Sequence, residues 1–195
     1  MEPASGELRA KWDQRHGEAA DIGEPAAVLA ENAHLLPPAG RALDLACGRG
    51  ANALFLSAAG LDVHAWDLSP VAIDRLGTEA AARGLTLTAE VRDVLAHPPP
   101  AARFDLIVVS YFLERGLAPA LAGALRPGGL LFYETFAREA VTDCGPSNPA
   151  FRLADNELLR LFPGLRPRFY REEGRLGDLR RGHRDVAMLV AEQPL

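Results

Sequence analysis

The stretch Ala42-Leu43-Asp44-Leu45-Ala46-Cys47-Gly48-Arg49-Gly50-Ala51-Asn52 constrains the fold more than any other part of the chain. A short apolar run ends in Gly-x-Gly and passes straight into a helical pattern over 51–59, stopped by Gly60. Two glycines allow a tight turn and a close backbone approach, and the helix start leaves N–H groups unpaired. A strand, a glycine turn and a helix in this order form the first half of a strand–helix–strand unit, which commits the chain to an α/β architecture.

The rest of the sequence continues that alternation. Strands are predicted over 41–46, 62–67, 86–92 and 104–110, the last an apolar run typical of a parallel strand buried on both faces. Helices are predicted over 8–15, 25–35, 70–83 and 118–125. The helix over 70–83 has a Ser69 cap, Pro70 in its first turn and Gly84 beyond its end. Arg126-Pro127-Gly128-Gly129 reads as a tight turn into a fifth strand over 130–135. The grammar then changes. A Gly- and Pro-containing loop over 143–149 and a short helix over 156–162 lead to strands over 167–173 and 185–191. Those two are joined without a helix, so they should pair antiparallel. The expectation is a Rossmann-like, doubly wound α/β fold, with a mostly parallel seven-stranded sheet and a C-terminal antiparallel hairpin. A length of 195 residues suits one domain, read as a helical cap over 1–36 on an α/β core over 37–195.

Ligands of open α/β sheets sit beyond the carboxyl ends of the strands. The strand ends here carry Asp44, Asp67 and Asp93. Two acids about a glycine turn suit a ligand with a positive charge and a ribose better than one with a pyrophosphate. Gly48 to Ala53 also satisfies G-x-G-x-x-A, with Asp67 at the spacing of a dinucleotide site, so an NAD(P)-dependent oxidoreductase stays open. Against it, the only lysine is Lys11, ahead of the nucleotide fold, which leaves no Tyr-x-x-x-Lys pair.

Leu43-Asp44-Leu45-Ala46-Cys47-Gly48-Arg49-Gly50 resembles the signature loop of the class I S-adenosylmethionine-dependent methyltransferases, and the closing hairpin resembles their fold. The resemblance covers the chain from about Leu35 onward. It implies S-adenosylmethionine as cofactor, with Asp44, Ala46, Cys47, Gly48 and Gly50 along its methionine part and Asn52 and Ser110 beside them. It also implies that Asp67 accepts both ribose hydroxyl protons and that Leu68 touches the adenine. Asp93 would meet the adenine amino group and the Val94 N–H a ring nitrogen. The Asn/Asp-Pro-Pro-Tyr/Phe sequence of relatives that methylate exocyclic amines of bases is absent at Ser110-Tyr111-Phe112.

Lys11-Trp12-Asp13-Gln14-Arg15-His16 resembles the opening segment of tellurite-resistance-type and thiopurine-type small-molecule methyltransferases, which folds over the cofactor. This chain has His16 where many have tyrosine. Trp12, His16, Tyr111, Glu134, Asn148 and Arg152 are therefore the substrate-side candidates, with Tyr111, Glu134 and His16 as positional candidates for a base. No catalytic residue is singled out. The expected acceptor is a small molecule that is already nucleophilic, a thiol or a metalloid oxyanion. A non-catalytic S-adenosylmethionine-binding protein is the remaining alternative.

A net charge of −5 argues against a nucleic-acid partner. Two cysteines give neither a disulfide framework nor a zinc spacing, and no metal is expected. No apolar run approaches the ~20 residues of a membrane span and no signal-peptide pattern opens the chain, so a cytoplasmic protein without a membrane partner is expected. The oligomeric state is not legible.

Overall fold

The computed structural model describes residues 5–18 and 21–195. Seven strands form one sheet in the spatial order β3-β2-β1-β4-β5-β7-β6. They are β1 (Arg41–Leu45), β2 (Asp62–Asp67), β3 (Thr88–Val91), β4 (Phe104–Ser110), β5 (Leu125–Phe136), β6 (Arg166–Glu172) and β7 (Val186–Glu192). The first five run parallel, whereas β7 pairs antiparallel with both β5 and β6. The order turns at β1, which lies between β2 and β4, and that is where a doubly wound sheet opens a crevice.

Six helices accompany the strands among the described residues: α1 (Ser5–Glu18), α2 (Ala27–Glu31), α3 (Ala51–Ala58), α4 (Pro70–Ala82), α5 (Ala118–Ala124) and α6 (Glu157–Leu161). Successive strand residues point to opposite faces, so the two cores alternate along each strand. Leu43, Leu45, Ile107 and Val109 join Leu121 of α5 and Leu158 of α6 on one face. Ala42, Leu106, Val108 and Phe132 join Leu54 of α3, Leu76 of α4 and Leu29 of α2 on the other. Both faces of β1 and β4 are packed over most of their length, which is why these strands are predominantly apolar, with Asp44 the one acid buried among them.

Three elements differ from the sequence reading. The segment over 25–35 is not one helix. Asn32 donates its side-chain amide to the Val28 carbonyl at 2.9 Å, and the chain breaks there into α2 and a 3-10 turn over Ala33–Leu35. Asparagine competes with the helical backbone in this way. Strand β3 is shorter than expected, because the Leu85 N–H still closes α4 on the Ala80 carbonyl. The turn expected over 126–129 lies inside β5 as a bulge, where the partner β4 advances from Phe104 to Leu106 while β5 advances from Leu125 to Leu130. Gly128 adopts φ +78° there, and a side chain on Gly129 would strike the Arg126 carbonyl at 2.9 Å.

Candidate functional site

At the end of β1 the backbone enters the left-handed region at Ala46 (φ +54°), Gly48 (φ +53°) and Gly50 (φ +85°). The Cys47 N–H still pairs with the Trp66 carbonyl at 3.0 Å, and the Gly50 N–H closes the turn on the Cys47 carbonyl at 2.9 Å. Glycine at position 50 is a matter of space as well as φ. A Cβ there would lie 2.3 Å from a Leu76 methyl carbon of α4. The turn, α3 and α4 therefore pack as one unit, and only a backbone without side chains fits between them.

Asp44 sits beneath this turn with no exposed surface. Its Oδ2 accepts the Ala53 N–H at 3.0 Å, satisfying one of the open donors of α3, while Oδ1 has no hydrogen-bond partner. Burial pushes this carboxyl up to about 7, with the Asp67 charge adding to the shift and the Asn52 amide and Ala53 N–H opposing it. A buried acid held at such a cost is a common mark of a functional site. Its free oxygen is an unmet acceptor at the loop where the resemblance expects a cationic cofactor, so the donor set fits that group.

Asp67 closes β2 and ties the two strand ends together. Its Oδ2 accepts the Gly48 N–H at 2.8 Å and its Oδ1 the Ser69 N–H at 2.9 Å. Each oxygen keeps a lone pair, so the carboxylate is rigid and still able to accept. Leu68 beside it is half-buried. Ser69 caps α4 as expected, accepting the Ala72 N–H at 3.2 Å. At the end of β3, Asp93 Oδ1 accepts the N–H groups of Leu95 and Ala96 at 3.0 and 3.2 Å, and Val94 is packed into the core beside Trp66. Asn52 is buried and works as a strut. It accepts the Ala26 N–H at 2.8 Å and donates to Ser110 Oγ at 2.9 Å, linking the entry of α2 to the end of β4.

The N-terminal helix lies on this loop. Asp13 accepts the Ser69 hydroxyl, the His16 carbonyl accepts from Arg75, and the His16 ring reaches 3.3 Å from where a Gly48 Cβ would stand. Trp12 stacks on the same ring at 5.7 Å between centroids. Burial lowers the His16 pKa; Asp67 opposes the shift while Arg49 and Arg15 add to it, so the ring is neutral near pH 7. Cys47 is buried, and burial pushes its thiol well up, which removes it as a nucleophile.

Beyond β4 and β5 lies the second group of candidates. Tyr111 has φ +55°, an uncommon backbone for a bulky residue. Its N–H is held by the Glu134 carbonyl at 2.8 Å and its hydroxyl by Glu134 Oε1 at 2.7 Å. Glu134 is only 1% exposed, and its Oε2 accepts the Val28 N–H of α2 at 2.7 Å. Phe136 packs against the Tyr111 ring at 5.1 Å.

The loop over 143–149 is firmly tied. Arg152 donates to the carbonyls of Ala137, Cys144 and Pro146 and lies over the Phe136 ring, and Gly145 passes so close to Phe136 that a Cβ would stand 2.6 Å from it. Asn148 caps a 3-10 turn by accepting the Ala150 N–H at 2.9 Å. Arg152 and Asn148 thus hold the loop that borders Tyr111. The Val28–Glu134 and Asp13–Ser69 contacts are not legible in the sequence, because each joins segments brought together only by the fold.

Residues 42–129 match a family described as a methyltransferase domain. The chain is 42% identical over 96 residues to Hemagglutinin 1 of Eikenella corrodens. That match takes in 46% of this chain and 32% of the relative, so the chain spans about a third of the length of that curated protein. Among solved structures it resembles one described as the conversion of a disulfide bond into a thioacetal group during echinomycin biosynthesis, with a TM-score of 0.73, 27% identity and coverage of 96% of this chain and 92% of that one. TehB from Haemophilus influenzae shares the fold, with a TM-score of 0.70, 22% identity and coverage of 95% and 66%.

Proposed function

By fold and by the family of its central segment the chain belongs to the class I S-adenosylmethionine-dependent methyltransferases, and on that premise we propose that it methylates a small-molecule thiol. When bound, S-adenosylmethionine supplies a methyl group on a sulfonium, ready for in-line displacement. Asp44 Oδ1, the Cys47–Gly50 turn and Asp67 would hold it, and the single observation that carries the assignment is the unmet, fully buried Asp44 oxygen under that turn. Leu68, Asp93 and Val94 would border its adenine. The chain's own work is alignment, which is worth ~7–11 kcal/mol when reacting atoms are held in line.

Sulfur as the acceptor is supported by the relative named for disulfide-to-thioacetal chemistry and by the aromatic wall of Tyr111 and Phe136 at the edge next to the turn. A freely diffusing acceptor, not a nucleic acid, suits the net charge of −5. Among the described residues no helix is long and apolar enough to cross a membrane, and we read the protein as cytoplasmic, with residues 1–36 as a cap on a core over 37–195.

The test is transfer of a labelled methyl group from S-adenosylmethionine to a panel of small thiols. Transfer with release of S-adenosylhomocysteine is expected. Cofactor binding without transfer to any thiol would leave a binding protein or another acceptor class.

A further inference from the structure

One pair of groups at the acceptor edge is not used by the cofactor. A tyrosine hydroxyl has one proton, and Tyr111 commits it to Glu134 Oε1 at 2.7 Å. What Tyr111, 51% exposed, offers to a molecule outside is a pair of lone electrons. Glu134 behind it is buried, and its second oxygen is taken by the Val28 N–H. Such an edge recognises a hydrogen-bond donor. An oxyanion would find only lone pairs with a carboxylate behind them.

The arrangement is held under strain. Tyr111 keeps a left-handed backbone, its N–H is fixed by the Glu134 carbonyl, and its ring is pinned by Phe136. Strain of this kind collects at functional sites. Burial first, and then the Glu134 charge and hydrogen bond, hold the Tyr111 phenol well above its ordinary range; the Cys144 thiol of the neighbouring loop acts in the same direction. Tyr111 is therefore a neutral phenol at rest, and its hydrogen bond to Glu134 gives a proton it takes up a path onward.

Resting on the methyltransferase reading, we propose that Tyr111 takes the acceptor's proton with Glu134 as its positioning residue, so that the acceptor enters as a neutral thiol and not as a metalloid oxyanion. The S–H bond breaks and its proton passes to Tyr111 Oη while Tyr111's own proton moves to Glu134 Oε1. The thiol sulfur forms the new bond to the methyl carbon, and the electron pair of the broken sulfonium bond stays on the departing thioether. One positive and one negative charge disappear together, and the proton later leaves Glu134 for water.

The experiment compares 2-mercaptoethanol, thiophenol and sodium selenite as acceptors for the full chain and for Tyr111→Phe and Glu134→Gln. On 2-mercaptoethanol, which arrives protonated, each variant should lose ~10²–10⁴ in kcat, the usual worth of positioned proton transfer. On thiophenol at pH 8, already ionised, the loss should stay below about tenfold, because no proton has to move. S-adenosylhomocysteine affinity should not change, and selenite should not be methylated. A second readout needs no turnover: the ring carbon resonance of Tyr111, identified by its loss in Tyr111→Phe, should not titrate up to pH ~10 and should titrate earlier in Glu134→Gln. Equal losses on both thiols, methylation of selenite, no transfer to any thiol, or an ordinary Tyr111 titration would each overturn the inference. A chain that fails to bind S-adenosylhomocysteine overturns the methyltransferase reading beneath it.

Discussion

The two edges that border the site are built by different means. At the β1–β2 edge the working groups are close in sequence, and their partners are backbone. Gly48 and Asp67, 19 residues apart, close the loop on itself, and Asp44 caps α3, the next element along the chain. At the β4–β5 edge the partners are far apart. Glu134 takes a backbone N–H from Val28, 106 residues earlier, and a hydroxyl proton from Tyr111. A locally closed site keeps its geometry wherever the unit folds. An edge assembled from remote segments can be retuned piece by piece without disturbing the other. This division suits an enzyme whose cofactor is fixed and whose acceptor is particular to the protein.

Asp67 separates the two edges most clearly. Asp67→Ala removes a charge-assisted acceptor, worth about 1.5–3 kcal/mol, so S-adenosylhomocysteine affinity measured by calorimetry should fall by about 10- to 100-fold. Acceptor recognition at the other edge should be untouched. If the affinity is unchanged, the ribose is held elsewhere and the β1–β2 edge is not the cofactor edge.

Asp44 gives an effect of opposite sign on stability and on binding. An acid raised to about 7 by burial is held well above its unfolded range of ~3.9. The folded state therefore binds an extra proton between these values, and stability from this group falls as pH rises from about 4 through about 7, staying low above it. Asp44→Asn keeps an acceptor for the Ala53 N–H. It should raise the melting temperature of the ligand-free protein at pH 8 while weakening S-adenosylmethionine binding by roughly tenfold or more. Lower stability at pH 8 would mean that the charge is already compensated in the free protein.

A smaller effect sharpens the contrast from the other side. Tyr111→Ala should impair turnover yet leave S-adenosylhomocysteine affinity within about threefold, ~0.7 kcal/mol. Loss of cofactor binding by a folded Tyr111→Ala protein would merge the two edges into one.

The same difference explains what the sequence made legible. The strand–turn–helix at 41–59, the Ser69 cap, β4 and the closing hairpin follow from local patterns, because each is decided by neighbours along the chain. Asp44 and Asp67 are legible as strand-end acids for the same reason. The break of the 25–35 segment at Asn32, the bulge within β5 and the Val28–Glu134–Tyr111 contact depend on side chains and strands that meet only after folding. Arg152 shows the limit from the other direction. Its position makes it a substrate-side candidate, but its guanidinium is taken up by three carbonyls that no periodicity could name.

On the methyltransferase reading, the locally closed edge at Cys47–Gly50 and Asp67 holds a sulfonium nucleoside. Calorimetric titration of the unmodified chain with S-adenosylhomocysteine, NAD and NADP tests it most directly. Saturable 1:1 binding of S-adenosylhomocysteine is expected, with a stabilisation of ~2.7 kcal/mol at ~100 times its dissociation constant, and no binding of either dinucleotide. Binding of NAD or NADP without S-adenosylhomocysteine would contradict it.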